Sequence, residues 1–320
     1  MDSKSTAPDL TRFHQLIKQN ELNSDVADQL YNVLSTCEIV MLCDDSDTMT
    51  KPIAEEGTDP FAPKRSTRWL ELKKLASVII DFVTAINPNG LDIYFLNRPA
   101  LRSVTSTAGL QTTFNLPPNG GTPLIGAIKQ IYEDKSNVPS DKNILIIVIT
   151  DGEPTDGTRN DLYWTLINKS KNVHISFAEC TDNADDMEYL DQWDGLIKNF
   201  DNTDDYREEL ARVKNVQGQQ FKFDYTDYVI KILLATFVRW YFNLDQVRVS
   251  TNAPLPVPFQ QFRPAIASPV PIPMPASQPL LQQQPMQQQL QSYQSCGSNT
   301  QYQCGYYVQP RRSRDCCLIS

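Results

Sequence analysis

The sequence predicts an α/β protein, a doubly wound and mostly parallel sheet with helices on both faces, followed by a disordered tail rich in proline and glutamine. Three observations predict it. Strand-like and helix-like apolar patterns alternate from residue 37 to residue 244, the arrangement that builds parallel sheets through helical crossovers. Two strand-like runs, Ile39-Val40-Met41-Leu42-Cys43 and Ile144-Leu145-Ile146-Ile147-Val148-Ile149, are apolar on both alternating faces, as central strands covered from both sides must be. After Ser250 the composition changes abruptly: half of the 22 prolines lie beyond it, with glutamine triplets at 282–284 and 287–289 and almost no charge before Arg311.

Residues 1–9 read as a loose tail. Over residues 10–34 the apolar positions Phe13, Leu16, Ile17, Val26, Leu30 and Val33 recur near helical spacing, and Asn23-Ser24-Asp25 offers a break and an N-cap, so a helical pair is expected. The first buried strand follows over 38–43. Residues 51–65, rich in proline, glutamate and glycine, form an insertion after it. Leu72, Leu75, Ile79, Phe82 and Ile86 step three and four apart, predicting an amphipathic helix over 69–86 that Asn87-Pro88-Asn89-Gly90 ends. Then come a strand over 91–96, a helix over 122–132, the second buried strand over 144–150, a helix over 161–168 and a strand over 173–178. Residues 182–205 carry several acidic side chains and read as a solvated helix face, with a second cation site as the alternative. The most apolar helix is expected over 226–244, where Lys231 and Arg239 argue against a membrane span. The chain thus divides into a helical extension over 1–36, the α/β domain over 37–244 and the tail over 245–320.

Both buried strands end in oxygen-bearing side chains, and α/β sheets bind ligands at the carboxyl ends of their strands. Asp44, Ser46 and Thr48 set a carboxylate and two hydroxyls at alternate positions of one tight loop. Such hard ligands suit Mg²⁺, Mn²⁺ or Ca²⁺ rather than zinc. Thr122 stands in Asn119-Gly120-Gly121-Thr122-Pro123, where two glycines admit close approach of the backbone, and Asp151 ends the second strand. In this order the residues resemble the metal-ion-dependent adhesion site of the von Willebrand factor A domain: Asp-x-Ser-x-Ser after the first strand, then a distant Thr and a distant Asp. The resemblance spans roughly residues 37–244.

The resemblance implies a Rossmann-like domain that is not an enzyme. It would hold one divalent cation, Mg²⁺ or else Mn²⁺ or Ca²⁺, on Asp44, Ser46, Thr48, Thr122 and Asp151. A partner protein would complete the site with an Asp or Glu carboxylate. Thr48 replaces the usual second Ser and keeps its hydroxyl. Asp47 stands where Gly is common, and if it faced the ion it would raise cation affinity and repel an acidic ligand. The alternative is a Mg²⁺-dependent phosphatase, since Asp45-Ser46-Asp47 resembles the Asp-x-Asp start of haloacid-dehalogenase-type enzymes, with Asp45 as nucleophile and Asp151 and Asp156 near the metal. Met49 falls where that family has Thr or Val, and the Gly-Gly-Thr-Pro turn has no role in it. A metal-free scaffold is the third reading.

The formal charge of −9 argues against nucleic acid as a partner, since binding it needs a basic surface. Seven cysteines at irregular spacing and a Met1-Asp2-Ser3-Lys4-Ser5 start without an apolar signal core point to a reducing cytosol, and Cys37, Cys43 and Cys180 read as inert core residues. With two histidines, a zinc site is not expected. The tail cannot bury enough apolar surface to offset its ordering entropy, and alternate prolines at 269, 271, 273 and 275 favour polyproline II. It closes on Cys317-Leu318-Ile319-Ser320, a C-a-a-X prenylation pattern whose final Ser favours farnesyl on Cys317. One lipid chain anchors weakly, so palmitoylation of Cys316 and the charges of Arg311, Arg312 and Arg314 are expected to complete the hold on the cytosolic membrane face.

Overall fold

The structure, a computed structural model, describes residues 10–53, 66–181 and 187–249. The insertion over 54–65, the stretch 182–186 and the chain from 250 onward, with Cys316, Cys317 and their arginines, lie outside the described residues.

Two helices open the fold, α1 (Leu10–Gln19) and α2 (Ser24–Thr36). Asn23 caps α2 by accepting the Val26 N–H at 2.9 Å, satisfying one of the donors a helix start leaves free. The chain runs straight on into β1 (Cys37–Cys43). A short antiparallel ladder, β2 (Pro52–Ile53) with β3 (Ser66–Thr67), brackets the insertion, and Thr67 caps α3 (Arg68–Ile86). Then follow β4 (Leu91–Phe95), β5 (Leu101–Val104), α4 (Gln111–Phe114), α5 (Leu124–Asp134), β6 (Asn143–Thr150), α6 (Arg159–Ile167), β7 (Val173–Glu179), α7 (Glu188–Asp191), β8 (Phe200–Thr203), α8 (Tyr206–Gln217), α9 (Tyr225–Leu234) and α10 (Arg239–Phe242).

The six-stranded sheet has the order β5-β4-β1-β6-β7-β8, and every pairing is parallel except β5 on β4. Period-two alternation divides the core as a doubly wound sheet requires. Ile39, Met41 and Cys43 of β1 face one layer with Leu30, Leu72, Ile79 and Leu233, while Val40 and Leu42 face the other with Ile128, Leu162 and Leu166. Cys37, Cys43 and Cys180 are buried, and burial pushes the Cys37 thiol up to about 12 and those of Cys43 and Cys180 well above the usual thiol value, so all three are inert thiols. Since β4 and β6 flank β1 on opposite sides, the winding reverses there and leaves a crevice at its carboxyl end. Register places Cys43 opposite both Ile149 and Phe95, so three strands finish level at that crevice.

The expectations for individual elements need three corrections. The helix expected from 122 begins at Leu124, because Gly120 takes a φ of 112° and Pro123 is not helical. The helix expected over 226–244 is broken: α9 ends at Leu234, and Val238 is extended. The stretch read as a solvated acidic face is instead largely interior, for Asp201, Asn202, Asp204 and Asp205 are buried on and after β8. Lys231 of α9 explains part of this, lying fully buried 2.9 Å from Glu209 Oε1 and 3.1 Å from Asp245 Oδ1.

At the α9 break His174 of β7 stacks on Phe237 at 3.9 Å, and its Nδ1 donates to the Thr236 carbonyl at 3.1 Å. Burial lowers its pKa to about 3. The unfolded chain therefore takes up a proton near pH 6.5 that the folded chain refuses. Stability from this group is complete above pH 6.5 and falls by roughly 1 kcal/mol for each pH unit below it. Urea titrations at pH 7 and pH 5 are expected to show wild type losing ground to His174→Phe at the lower pH; a constant difference would contradict this.

Candidate metal centre

Asp44 leaves β1 with its N–H bonded to the Ile149 carbonyl at 2.9 Å, which fixes it beside the end of β6. Its Oδ1 accepts the Ser46 N–H at 2.8 Å and its Oδ2 the Thr150 hydroxyl at 2.6 Å. Ser46 Oγ and Thr48 Oγ1 are 2.9 Å apart, and Thr48 donates to Asp151 Oδ1 at 2.8 Å. With the Thr48 proton so used, Ser46 must donate to Thr48. Asp44, Ser46, Thr48 and Asp151, 103 to 107 residues apart at the extremes of the sequence motif, thus form one continuous hydrogen-bonded group. Burial pushes the Asp44 carboxyl up to about 6, against the hydrogen bonds from Ser46 and Thr150, and the Asp151 charge adds to the rise.

Thr122 is buried but makes no direct hydrogen bond to the other four. Its loop is nonetheless stitched to theirs. The Asp47 N–H donates to the Gly120 carbonyl at 2.9 Å, the Asn119 N–H to the Asp45 carbonyl at 2.8 Å, and Asn97 Nδ2 to the Gly121 carbonyl at 2.8 Å. Gly120 takes a φ of 112°, a conformation strained for any residue with a Cβ, and a Cβ there would meet the Asn97 side chain, so this turn needs glycine. On the other side Thr122 N–H donates to Thr155 Oγ1 at 2.9 Å and the Thr155 N–H returns to the Thr122 carbonyl at 2.8 Å.

The residues of the phosphatase reading point elsewhere. Asp45 has no exposed side-chain surface; its Oδ1 accepts the Asn97 N–H at 2.8 Å and its Oδ2 lies 3.0 Å from Arg98 Nε. Asp156 caps α5, accepting the N–H groups of Ile125 at 3.2 Å and Gly126 at 2.6 Å. Asp47 is exposed, so neither effect expected of an inward carboxylate follows.

One charged residue in the group was not anticipated. Arg68, the first residue of α3, reaches Asp151 Oδ2 with Nη1 at 2.6 Å, and both side chains are almost wholly buried. A cation at a helix start opposes the helix dipole, and that mismatch is the signal the sequence offered. Asn97 and Arg98, which hold Asp45, were also missed. The donor set fits a hard divalent cation all the same, with two carboxylates and two hydroxyls from the first and second buried strands and no nitrogen or sulfur ligand among them.

A second acidic group stands at the ends of β7 and β8, where Glu179, Asp191 and Asp204 bring oxygens within 4.8 Å of one another. Arg212 lies 2.6 Å from Asp191 and 2.7 Å from Asp204, and Asn202 Nδ2 donates to Glu179 and Asp191 at 2.8 Å. Burial and then the Asp204 charge push Glu179 up to about 9, so its carboxyl is neutral at pH 7. Asp191 and Asp204 belong to the acidic stretch over 182–205, but no spacing joins Glu179 to them.

No family model matches the sequence, and no curated protein matches it. Among solved structures the chain is similar to a von Willebrand factor type A protein from Catenulispora acidiphila, at 16% identity and a TM-score of 0.37, over 62% of this chain and 41% of that one. It is also similar to the conserved hypothetical protein BatB from Bacteroides thetaiotaomicron, at 18% identity and a TM-score of 0.32, over 45% of this chain and 66% of that one. The chain therefore spans about two fifths of the first and just under two thirds of the second.

Proposed function

We propose that this chain is an intracellular protein-interaction module of the von Willebrand factor A type, which holds one divalent cation and through it captures an Asp or Glu side chain of a partner protein. The observation that carries the reading is the meeting of Asp44, Ser46 and Thr48 from the end of β1 with Asp151 from the end of β6 in one hydrogen-bonded group at the sheet's switch point. The cation, when bound, supplies the Lewis acid that a partner carboxylate needs. The chain's own residues do the rest. Thr150 and the Ser46 N–H hold the Asp44 carboxylate in place, the Gly120-Gly121 turn brings Thr122 alongside, and Asp47 stays in solvent where it does not oppose an acidic ligand. Asp45, buried against Asn97 and Arg98, is poorly placed for nucleophilic attack, which favours binding over phosphatase chemistry. The metal-free scaffold has one observation in its favour, the Arg68–Asp151 ion pair.

Capture with the full chain in Mg²⁺ and in EDTA, wild type beside Asp44→Asn, tests the reading. Partners held in Mg²⁺ and lost both in EDTA and in the variant are expected; an identical set in all conditions removes the cation from it.

The tail completes the proposal: farnesyl on Cys317, palmitoyl on Cys316 and the charges of Arg311, Arg312 and Arg314 hold the module to the cytosolic face of a membrane. Among the described residues no helix is long and apolar enough to cross one. Cys317→Ser is expected to abolish incorporation of a labelled farnesyl analogue and to move the full chain from the membrane fraction to the supernatant. Unchanged fractionation would separate the module from lipid anchoring.

A further inference from the structure

We infer that Arg68 is the resident counter-ion of the metal centre: its guanidinium holds the site closed on Asp151 when no cation is bound, and it sets cation affinity by competing for that carboxylate. The inference rests on the proposed metal centre and names its regulation. Three observations carry it. Arg68 Nη1 lies 2.6 Å from Asp151 Oδ2 and 3.4 Å from the Asp151 carbonyl, with the arginine 4% and the carboxylate 0% exposed. At such burial a full positive charge acts on its neighbours with little screening. Second, Arg68 is fixed by the backbone, because its N–H bonds the Lys51 carbonyl at 3.1 Å and the Thr67 cap seats the helix start behind it. It is a part of the site's frame and not a side chain passing over it. Third, the same Asp151 carboxylate serves both sides, with Oδ2 on Arg68 and Oδ1 on Thr48. A cation drawn to Asp151 therefore meets a carboxylate already neutralised.

The charges make the consequence plain. Asp44 and Asp151 together offer two negative charges, and Arg68 cancels one of them. A divalent ion entering the group is attracted by the remainder and repelled by the guanidinium. Without an ion, the arginine gives Asp151 a counter-charge, while Asp44 is held by the Ser46 N–H and the Thr150 hydroxyl. Cation affinity is correspondingly modest, and occupancy follows the free cation concentration or the arrival of a partner's carboxylate, whose own charge favours the ion.

The experiment is a calorimetric titration of Mn²⁺ into the full chain, wild type beside Arg68→Gln and Arg68→Lys, with thermal unfolding of each in EDTA to confirm folding. Glutamine keeps a hydrogen-bond donor and removes the charge; lysine keeps the charge. Arg68→Gln is expected to bind Mn²⁺ at least about tenfold more tightly than wild type, since a buried like charge a few ångströms from the ion is removed, and Arg68→Lys to stay close to wild type. Equal affinity in wild type and Arg68→Gln overturns the inference while leaving the metal centre standing. No binding in either overturns both. A second measurement needs no variant: the Arg68 Nε–Hε resonance of the labelled wild-type chain should shift as Mg²⁺ is raised to saturation, and an unmoved resonance with Mg²⁺ bound also overturns the inference.

Discussion

Asp151→Ala is expected to lower folding stability by about 3–5 kcal/mol, besides removing a ligand from the proposed metal centre. The reason is Arg68, whose buried guanidinium would lose the carboxylate at 2.6 Å. Thr48 would lose its acceptor as well. Urea denaturation checks this, and a loss below about 1 kcal/mol would mean that the guanidinium finds another partner or water. Alanine at this position is thus a poor instrument for separating metal binding from folding. Asp44 is the better position. Its carboxylate is already pushed up to about 6 by burial, so Asp44→Asn removes a charge that the folded state tolerates badly and keeps an acceptor for Thr150 or the Ser46 N–H.

A comparably large loss is expected of Lys231→Met. Lys231 is fully buried between Glu209 and Asp245, with Asp201 nearby, and although burial opposes its charge, those carboxylates hold its pKa well above the usual value. Removing it leaves buried acids without a cation, at a cost of about 3–5 kcal/mol at pH 7. The loss should shrink on acidification. Burial pushes Asp201 up to about 7 and raises Glu209, even with Lys231 present. A carboxyl whose folded pKa is raised contributes stability below its unfolded pKa and loses it as pH rises through the folded value. Without the lysine both carboxyls take protons more readily, so Lys231→Met should regain ground on wild type between pH 7 and pH 5. A deficit independent of pH would instead point to lost packing.

The parts of the fold legible in the sequence were those governed by apolar periodicity. β1 and β6 announced themselves because central parallel strands are apolar on both faces, and α3 because its stripe is long. Polar side chains at the strand ends then located Asp44, Ser46, Thr48 and Asp151, since β1 and β6 are neighbours that finish level. What escaped was set by pairing between distant polar residues. β8, Phe-Asp-Asn-Thr, is buried although three of its four side chains are polar, because Lys231, Glu179 and Asp191 meet them from other segments. Arg68 escaped for the same reason: its partner lies 83 residues away. The break after α9 depends on His174 and Phe237, which only the folded chain brings to 3.9 Å.

The measurement that bears most directly on the central claim is a calorimetric titration of Mn²⁺ into the full chain, wild type beside Asp44→Asn. One equivalent bound by wild type and none by a folded Asp44→Asn is the expected result. Heats that are absent in wild type, or unchanged in the variant, would contradict a metal centre at the end of β1.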